Sequence, residues 1–247
     1  MSQSINYLIT SGCSFSQVIN ADVTWPVPLS KALNATLDTN GRGAVGNGLI
    51  SKSIIHRVSE TLNIKSSEEI LVGIMWSSFD RFEIYNEKPN LESNNLGSWY
   101  RYYCNPQWIA DENKRNYIVI NPHWKDDFTT AYLKNFYDAR GMMIITLEHI
   151  LRVQWFLKLC NIKYFMTCMG DDLDVIEKNS EHCSDIKYLY DLISWDEWLP
   201  VKDMNMWSIN SGLPYRDIND GHPSTIMHES FVNTVILPHL KTKGYIK

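Results

Sequence analysis

A serine close to the start of the chain has the setting of a nucleophile. Ser14 follows a short apolar run, residues 5–11, and Gly12 lies two positions before it. The apolar run predicts a first strand, and Gly12 permits the sharp turn that a strand needs before a loop or helix. Open α/β sheets bind ligands at the carboxyl ends of their strands, so Ser14 is placed to attack a substrate. The alternative is an ordinary turn or helix-capping serine.

A histidine near the other end of the chain can act as the base that such a serine needs. His222 belongs to the segment DGHPS, residues 220–224, just before the last helical pattern. A carboxylate that accepts the imidazole N–H holds the tautomer whose other nitrogen takes the serine proton. We assign this role to Asp220, with Asp217 as the alternative. If these contacts do not form, His222 is a loop residue beside the cap of the last helix.

Two further segments carry donors for an oxyanion. Residues 40–48 read NGRGAVGNG, and glycine lets a backbone N–H approach an oxyanion closely. We assign this role to the N–H of Gly46. The same letters match the GxGxxG pattern of dinucleotide-binding loops, and a plain glycine-rich turn is the third interpretation. After the apolar run 69–76, the hydroxyls of Ser77 and Ser78 are candidate donors or loop caps. Asp80 and Arg81, which follow Phe79, are expected to form a local ion pair.

These segments occur in the order seen in the SGNH (GDSL-like) hydrolases, and the chain resembles that family over nearly its whole length. It resembles a divergent member, of the kind also encoded by phages. Gly12-Cys13-Ser14 stands for the family's Gly-Asp-Ser, and the Gly/Asn-rich loop and the Asp/His loop follow in the family's order. Two departures are clear. The family's Gly-x-Asn-Asp is missing after the third strand, and Asn219 occupies the place of the acid in Asp-x-x-His.

The residues and the resemblance together predict a serine esterase. Ser14 attacks an ester carbonyl, His222 accepts and returns the proton, and Asp220 orients His222. The resemblance implies small acyl groups, often acetyl on a carbohydrate, and it implies neither a metal nor an organic cofactor. The alternative is an SGNH-like component of a virion or surface assembly that has a binding or structural role and little or no catalytic activity. The missing Asn favours this alternative, because one fold hosts many functions.

Composition and charge exclude other classes of protein. The 247 residues are 44% hydrophobic and 21% charged, which is typical of a globular protein with a full core. A net charge of −5 without a basic run argues against nucleic-acid binding. The five cysteines show no CxxC spacing, and the histidines lack ligand spacing, which disfavours disulfides and a metal site.

Membrane and export signals are also missing from the sequence. The longest apolar stretch, residues 141–159, contains Glu148, Arg152 and Lys158 and therefore predicts an amphipathic helix. The N-terminus has no basic region before its short apolar run, so we expect no signal peptide and a cytoplasmic or virion-associated protein. Besides the substrate, further copies of the chain or a virion assembly remain open as partners.

The elements that must position these residues alternate between strand and helix. We predict one domain over residues 1–247, an SGNH/flavodoxin-like α/β/α sandwich with a small parallel sheet of about four or five strands. An aromatic, Asn-rich stretch, residues 77–128, is too long for a simple loop and predicts an insertion over the sheet edge or the site. The predicted strands are residues 5–11, 35–39, 69–76 and 163–167, and the predicted helices are 25–33, 47–62, 130–160 with a break near Gly141, and 224–241.

Overall fold

A parallel sheet of five strands forms the centre of the protein. The computed structural model describes residues 5–18, 23–86, 116–123, 127–215 and 221–247. The strands are β1 (Tyr7–Gly12), β2 (Thr36–Thr39), β3 (Ile70–Trp76), β4 (Phe82–Asn86), β5 (Asn116–Ile120), β6 (Lys163–Cys168) and β7 (Trp198–Asp203). The parallel sheet has the order β2-β1-β3-β6-β7, and β4 pairs with β5 in a separate antiparallel sheet.

Helices cover both faces of the parallel sheet, which gives the three-layer α/β/α sandwich predicted from the sequence. One group contains α2, α4, α5 and α6, and the other contains α1, α7, α8 and α9. No helix among the described residues is long and apolar enough to cross a membrane. The helices are α1 (Pro26–Leu33), α2 (Asn47–Thr61), α3 (Asp127–Phe136), α4 (Ala139–Leu159), α5 (Asp172–Ser180), α6 (Ser184–Asp191), α7 (Met204–Ser211), α8 (Thr225–Phe231) and α9 (Leu237–Thr242).

The order of the strands fixes where a ligand can bind. The chain runs from β1 outward to β2 and then crosses back to β3 on the other side of β1. Such a reversal opens a crevice at the carboxyl ends of the two central strands. Gly12 at the end of β1 pairs with Met75 near the end of β3. The residues that follow these two strands therefore leave the sheet side by side.

The strongest sequence patterns give the expected elements. All seven residues of β3 are buried, as a strand covered by helices on both sides requires. The helical pattern over residues 130–160 forms α3 and α4, but the break comes at Tyr137 and Asp138, before Gly141. The cause is a cap, because the Asp138 carboxylate accepts a hydrogen bond of 3.0 Å from the Gly141 N–H.

The predicted insertion is described only at its two ends. β4 and β5 lie in these ends and pair in antiparallel register from Phe82 opposite Ile120. Contacts between α2 and β4 join this small sheet to the main domain. Residues 87–115 and 124–126 lie outside the described residues, so the covering role of the insertion stays a prediction.

Gly73 in the middle of β3 allows two large rings to pack onto the sheet. A Cβ at this position would lie 2.7 Å from the Phe165 ring and 2.9 Å from the Trp25 ring, and both side chains are fully buried. Because overpacking a core costs about 1–3 kcal/mol, we expect Gly73→Ala to lower the free energy of unfolding by about that amount in urea titrations. The control is Gly141→Ala, where a Cβ would meet nothing closer than 3.8 Å. Equal loss in both variants would contradict the packing argument.

Candidate active site

Ser14 begins a short 3-10 turn directly after β1. The turn spans Ser14–Ser16, and the Trp25 indole N–H donates a 2.9 Å hydrogen bond to Ser16 Oγ within it. Gly12 is required for space, because a Cβ there would lie 2.3 Å from Ser16 Oγ and 2.8 Å from the Met75 carbonyl oxygen. The backbone of Gly12 does not have a positive φ. The close approach, and not a left-handed turn, therefore explains this glycine.

Ser14 and His222 meet although 208 positions separate them in the sequence. Ser14 Oγ lies 2.8 Å from His222 Nε2, and the Phe15 ring packs on the imidazole with 5.2 Å between ring centroids. On the far side of the histidine, Ser224 caps α8 by accepting a hydrogen bond from the Met227 N–H. The turn after β1 and the helix cap thus bring the hydroxyl and the imidazole together.

The two acids considered for orienting His222, Asp220 and Asp217, lie outside the described residues. Tyr215 and Pro223, which are described residues on either side of them in the sequence, form an antiparallel bridge. The assignment of Asp220 therefore stays a prediction.

Cys13 points away from Ser14 into the core. Its side chain is fully buried, and its thiol donates to the Met169 sulfur at 3.1 Å. Burial raises the pKa of this thiol, so it stays protonated and is a poor nucleophile. Of the two adjacent candidates, Ser14 is the one beside the imidazole.

The glycine loop before α2 brings a different glycine to Ser14 from the one predicted. A Cβ on Gly43 would lie 4.0 Å from Ser14 Cβ, and the Gly43 N–H donates to Gln17 Oε1 at 2.7 Å. The Gly46 N–H instead donates to the Glu83 carboxylate, and a Cβ on Gly46 would lie 2.4 Å from the Arg81 carbonyl oxygen. The loop contains Gly41, Gly43 and Gly46, and nothing in the sequence indicates which of them lies beside Ser14. Sequence reasoning therefore missed Gly43.

Glu83 at the start of β4 places its carboxylate at the N-terminus of α2. Burial raises its pKa to about 7, opposed by the N–H groups of Gly46, Gly48 and Leu49 and by the charge of Lys52. The dinucleotide interpretation of the loop therefore meets an obstacle. The N–H groups of Gly43 and Gly46 already donate hydrogen bonds to Gln17 and Glu83. In addition, the Glu83 carboxylate lies at the helix N-terminus, where a bound phosphate would need positive potential.

The loop after β3 contains both predicted serines, and each has partners. The Ser77 N–H donates to Asn47 Oδ1 at 2.8 Å, and Asn47 Nδ2 donates back to the Ser77 carbonyl at 3.1 Å. The Ser78 hydroxyl lies 2.6 Å from Asp172 Oδ1, which also accepts the Phe79 N–H at 3.1 Å. Asn47 and Asp172 thus fix the course of this loop, and the Ser78 hydroxyl serves that purpose in this arrangement.

The expected ion pair between Asp80 and Arg81 does not form between these two described residues. Arg81 Nη1 donates to Ser77 Oγ at 3.0 Å instead, and Asp80 Oδ1 is buried without a hydrogen-bond partner. Within the described part of the chain, no group of three or more His, Cys, Asp or Glu side chains is arranged to hold a metal ion.

Glu83 should make the stability of the protein depend on pH. Its folded-state pKa of about 7 lies above the ordinary value of 4.5, so the folded protein binds the proton more tightly than the unfolded chain does. The stability that Glu83 contributes is therefore present below pH 4.5 and is lost as the pH rises towards 7. We expect Tm to fall more between pH 5 and pH 8 in the wild type than in Glu83→Gln. Parallel Tm profiles would contradict the raised pKa.

Comparison with known proteins gives a family match and a structural likeness. The model of DUF6071, a family of unknown function, matches residues 15–247. A solved structure of an acetyl xylan esterase (Est2A) from the rumen bacterium Butyrivibrio proteoclasticus aligns with 98% of this chain at 12% sequence identity and a TM-score of 0.41. The chain spans 66% of the length of that protein. No curated protein matches the sequence. Because the family match covers nearly the whole chain, this protein belongs to the DUF6071 family.

Proposed function

We propose that this protein is a serine hydrolase that cleaves carboxylic esters with Ser14 as nucleophile and His222 as general base. The observation that carries the proposal is the distance of 2.8 Å between Ser14 Oγ and His222 Nε2. A serine hydroxyl is a weak nucleophile until a base within hydrogen-bond reach takes its proton. Because Ser14 follows β1, the pair lies beside the crevice where the strand order reverses.

The reaction runs in two halves. Ser14 Oγ forms a bond to the ester carbonyl carbon while its proton passes to His222 Nε2. The tetrahedral intermediate then collapses, and His222 delivers that proton to the departing alcohol. Water repeats the steps on the acyl-enzyme and releases the acid. In this proposal Asp220 accepts the other imidazole N–H and so keeps Nε2 ready to receive the proton.

The oxyanion needs backbone donors close to Ser14. The Ser14 N–H and the Gly43 N–H are our first assignments, because Gly43 is the loop glycine beside Ser14 and its present acceptor is a side-chain amide that can rotate away. Gly46, assigned from the sequence, can donate only after the Glu83 carboxylate has left its N–H. Ser78 can donate only after its hydroxyl leaves Asp172. Ser77 Oγ accepts from Arg81 and donates to the Met169 sulfur at 4.0 Å, so it can donate to an oxyanion only after it leaves that sulfur.

The substrate class follows from the sequence resemblance to SGNH hydrolases. We propose small acyl groups, with acetyl esters of carbohydrates as the first class to test.

A fluorophosphonate probe tests the nucleophile directly. Such probes form a stable bond to a serine only where a base activates it, so intact-mass analysis should show a single adduct, and peptide mapping should place it on Ser14. Ser14→Ala should not react. An adduct on another serine, or none at all, would contradict the proposed nucleophile.

A second candidate function is a binding or structural role in a virion or surface assembly, performed by an SGNH-like protein with little catalytic activity. The hydrogen bonds of Gly46 to Glu83 and of Ser78 to Asp172 favour it, because they occupy two of the donors predicted from the sequence. Wild-type protein that neither reacts with the probe nor hydrolyses acetyl esters would decide for this candidate.

A further inference from the structure

We infer that Arg81 is a further catalytic residue, whose guanidinium donates to the oxyanion in the ester hydrolysis proposed above, on which this inference rests. Nothing in the sequence pattern assigns this role to an arginine.

The guanidinium is bound by a residue that leaves the sheet beside the nucleophile. Arg81 Nη1 lies 3.0 Å from Ser77 Oγ. Gly12 and Met75 pair at the ends of β1 and β3, and Ser14 and Ser77 each lie two positions beyond that pair. The Arg81 charge also opposes the effect of burial on the pKa of the Cys13 thiol, as a cation close to this turn must. Arg81 therefore approaches the crevice from the β3 side.

The guanidinium has donors without acceptors. Arg81 Nε is buried and has no hydrogen-bond partner, and the hydroxyl of Ser77 takes only Nη1. Arg57, by comparison, pairs with Asp38 at 2.8 Å, whereas no carboxylate of the described residues pairs with Arg81. The Arg81 side chain is half-buried, and a guanidinium nitrogen that has lost its water without gaining an acceptor is costly. An anion that forms in the crevice during the reaction offsets that cost.

The other donors on this side of the crevice are already in use. The Ser77 N–H donates to Asn47, and the Ser78 hydroxyl donates to Asp172. The Gly46 N–H donates to Glu83. Arg81 is the donor in this set that can bind an oxyanion without breaking an existing hydrogen bond. Donors that need no reorganisation at the moment of reaction stabilise a transition state most, and charge-assisted hydrogen bonds are stronger than neutral ones.

The role of Arg81 is electrostatic and involves no proton transfer. Its hydrogen bond forms as negative charge moves onto the carbonyl oxygen. The bond therefore stabilises the transition state more than the bound ester, and its loss should reduce kcat while KM changes little.

The experiment uses 4-nitrophenyl acetate, a neutral ester, and the full-length protein. Removing one oxyanion donor costs about 10²–10³ in kcat, so we expect Arg81→Gln to lose activity in that range with KM within about threefold of the wild type. Arg81→Lys keeps the charge and should retain more activity than Arg81→Gln. The matched control is Arg140→Gln, which removes the same charge from an exposed position in the first turn of α4 and should leave kcat unchanged. Arg81→Met, which keeps the aliphatic stem, replaces Arg81→Gln if thermal unfolding shows that the latter does not fold.

Two kinds of failure can be told apart. An unchanged kcat in Arg81→Gln or Arg81→Met, or a rise in KM alone, overturns the role of Arg81 while wild-type and Ser14→Ala rates still support the hydrolase. Wild-type protein without esterase activity overturns the hydrolase and the role of Arg81 together.

Discussion

Ser14→Ala and His222→Ala should each lower kcat for a neutral acetyl ester by at least about a thousandfold, and the double variant should be little worse than either single one. The reason is that Ser14 Oγ and His222 Nε2 lie 2.8 Å apart and transfer one proton between them. When the hydroxyl is lost, the base has no proton to take, and when the base is lost, the hydroxyl is not activated. Two residues that act on the same step therefore give strongly non-additive losses.

A control residue lies directly beside the nucleophile. Cys13→Ala changes the neighbouring side chain, which is fully buried against Met169, and should leave kcat unchanged below the Tm of the variant. Steady-state rates of the four variants, with thermal unfolding as a check of folding, complete the comparison. Loss of activity in Cys13→Ala but not in Ser14→Ala would mean that the thiol is the nucleophile. Additive losses in the double variant would mean that the two residues act on different steps.

The parts of the fold that local patterns determine could be predicted from the sequence. β3 is apolar along its whole length because both faces are covered, and residues 69–76 gave the prediction almost to the residue. α8 begins where Ser224 suggests a cap, and its side chain accepts the Met227 N–H. The elements within residues 172–211, which are α5, α6, β7 and α7, have no comparably clear hydrophobic or capping pattern and were not predicted. β7 contains Pro200, lies at the sheet edge and pairs with β6 in an irregular register, so its sequence does not alternate cleanly.

The candidate site shows the same division. The order of the segments along the chain was enough to predict that Ser14 and His222 lie together, and their atoms Oγ and Nε2 are 2.8 Å apart. Ser14 was placed by the rule that parallel sheets bind ligands at the carboxyl ends of their strands, and His222 by its position before the last helix. The partners of the oxyanion donors could not be selected in this way. The acceptor of the Gly46 N–H is Glu83, 37 positions later and on a strand of the insertion, and the partner of the Ser78 hydroxyl is Asp172 at the start of α5. Such partners depend on tertiary contacts that leave no local pattern.

The acid that orients His222 is the part of the site for which the sequence offers two residues. If Asp220 accepts the imidazole N–H, Asp220→Asn replaces an acceptor by an amide that can donate, and the wrong imidazole tautomer becomes the stable one. His222 Nε2 then carries the proton and cannot receive another from Ser14. We expect a loss in kcat of up to about four orders of magnitude, with the fold unchanged.

Asp217→Asn is the matched variant, because it makes the same chemical change three positions earlier in the same segment. It should be nearly silent if Asp220 is the orienting acid. The pH dependence of kcat separates orientation from a general loss of charge, since a variant that holds the wrong tautomer loses activity even at a pH where the imidazole is neutral. A large loss in Asp217→Asn with a silent Asp220→Asn would assign the role to the more distant acid. If neither variant loses activity, a backbone carbonyl orients His222, or His222 is not the base, and the rate of His222→Ala decides between these two.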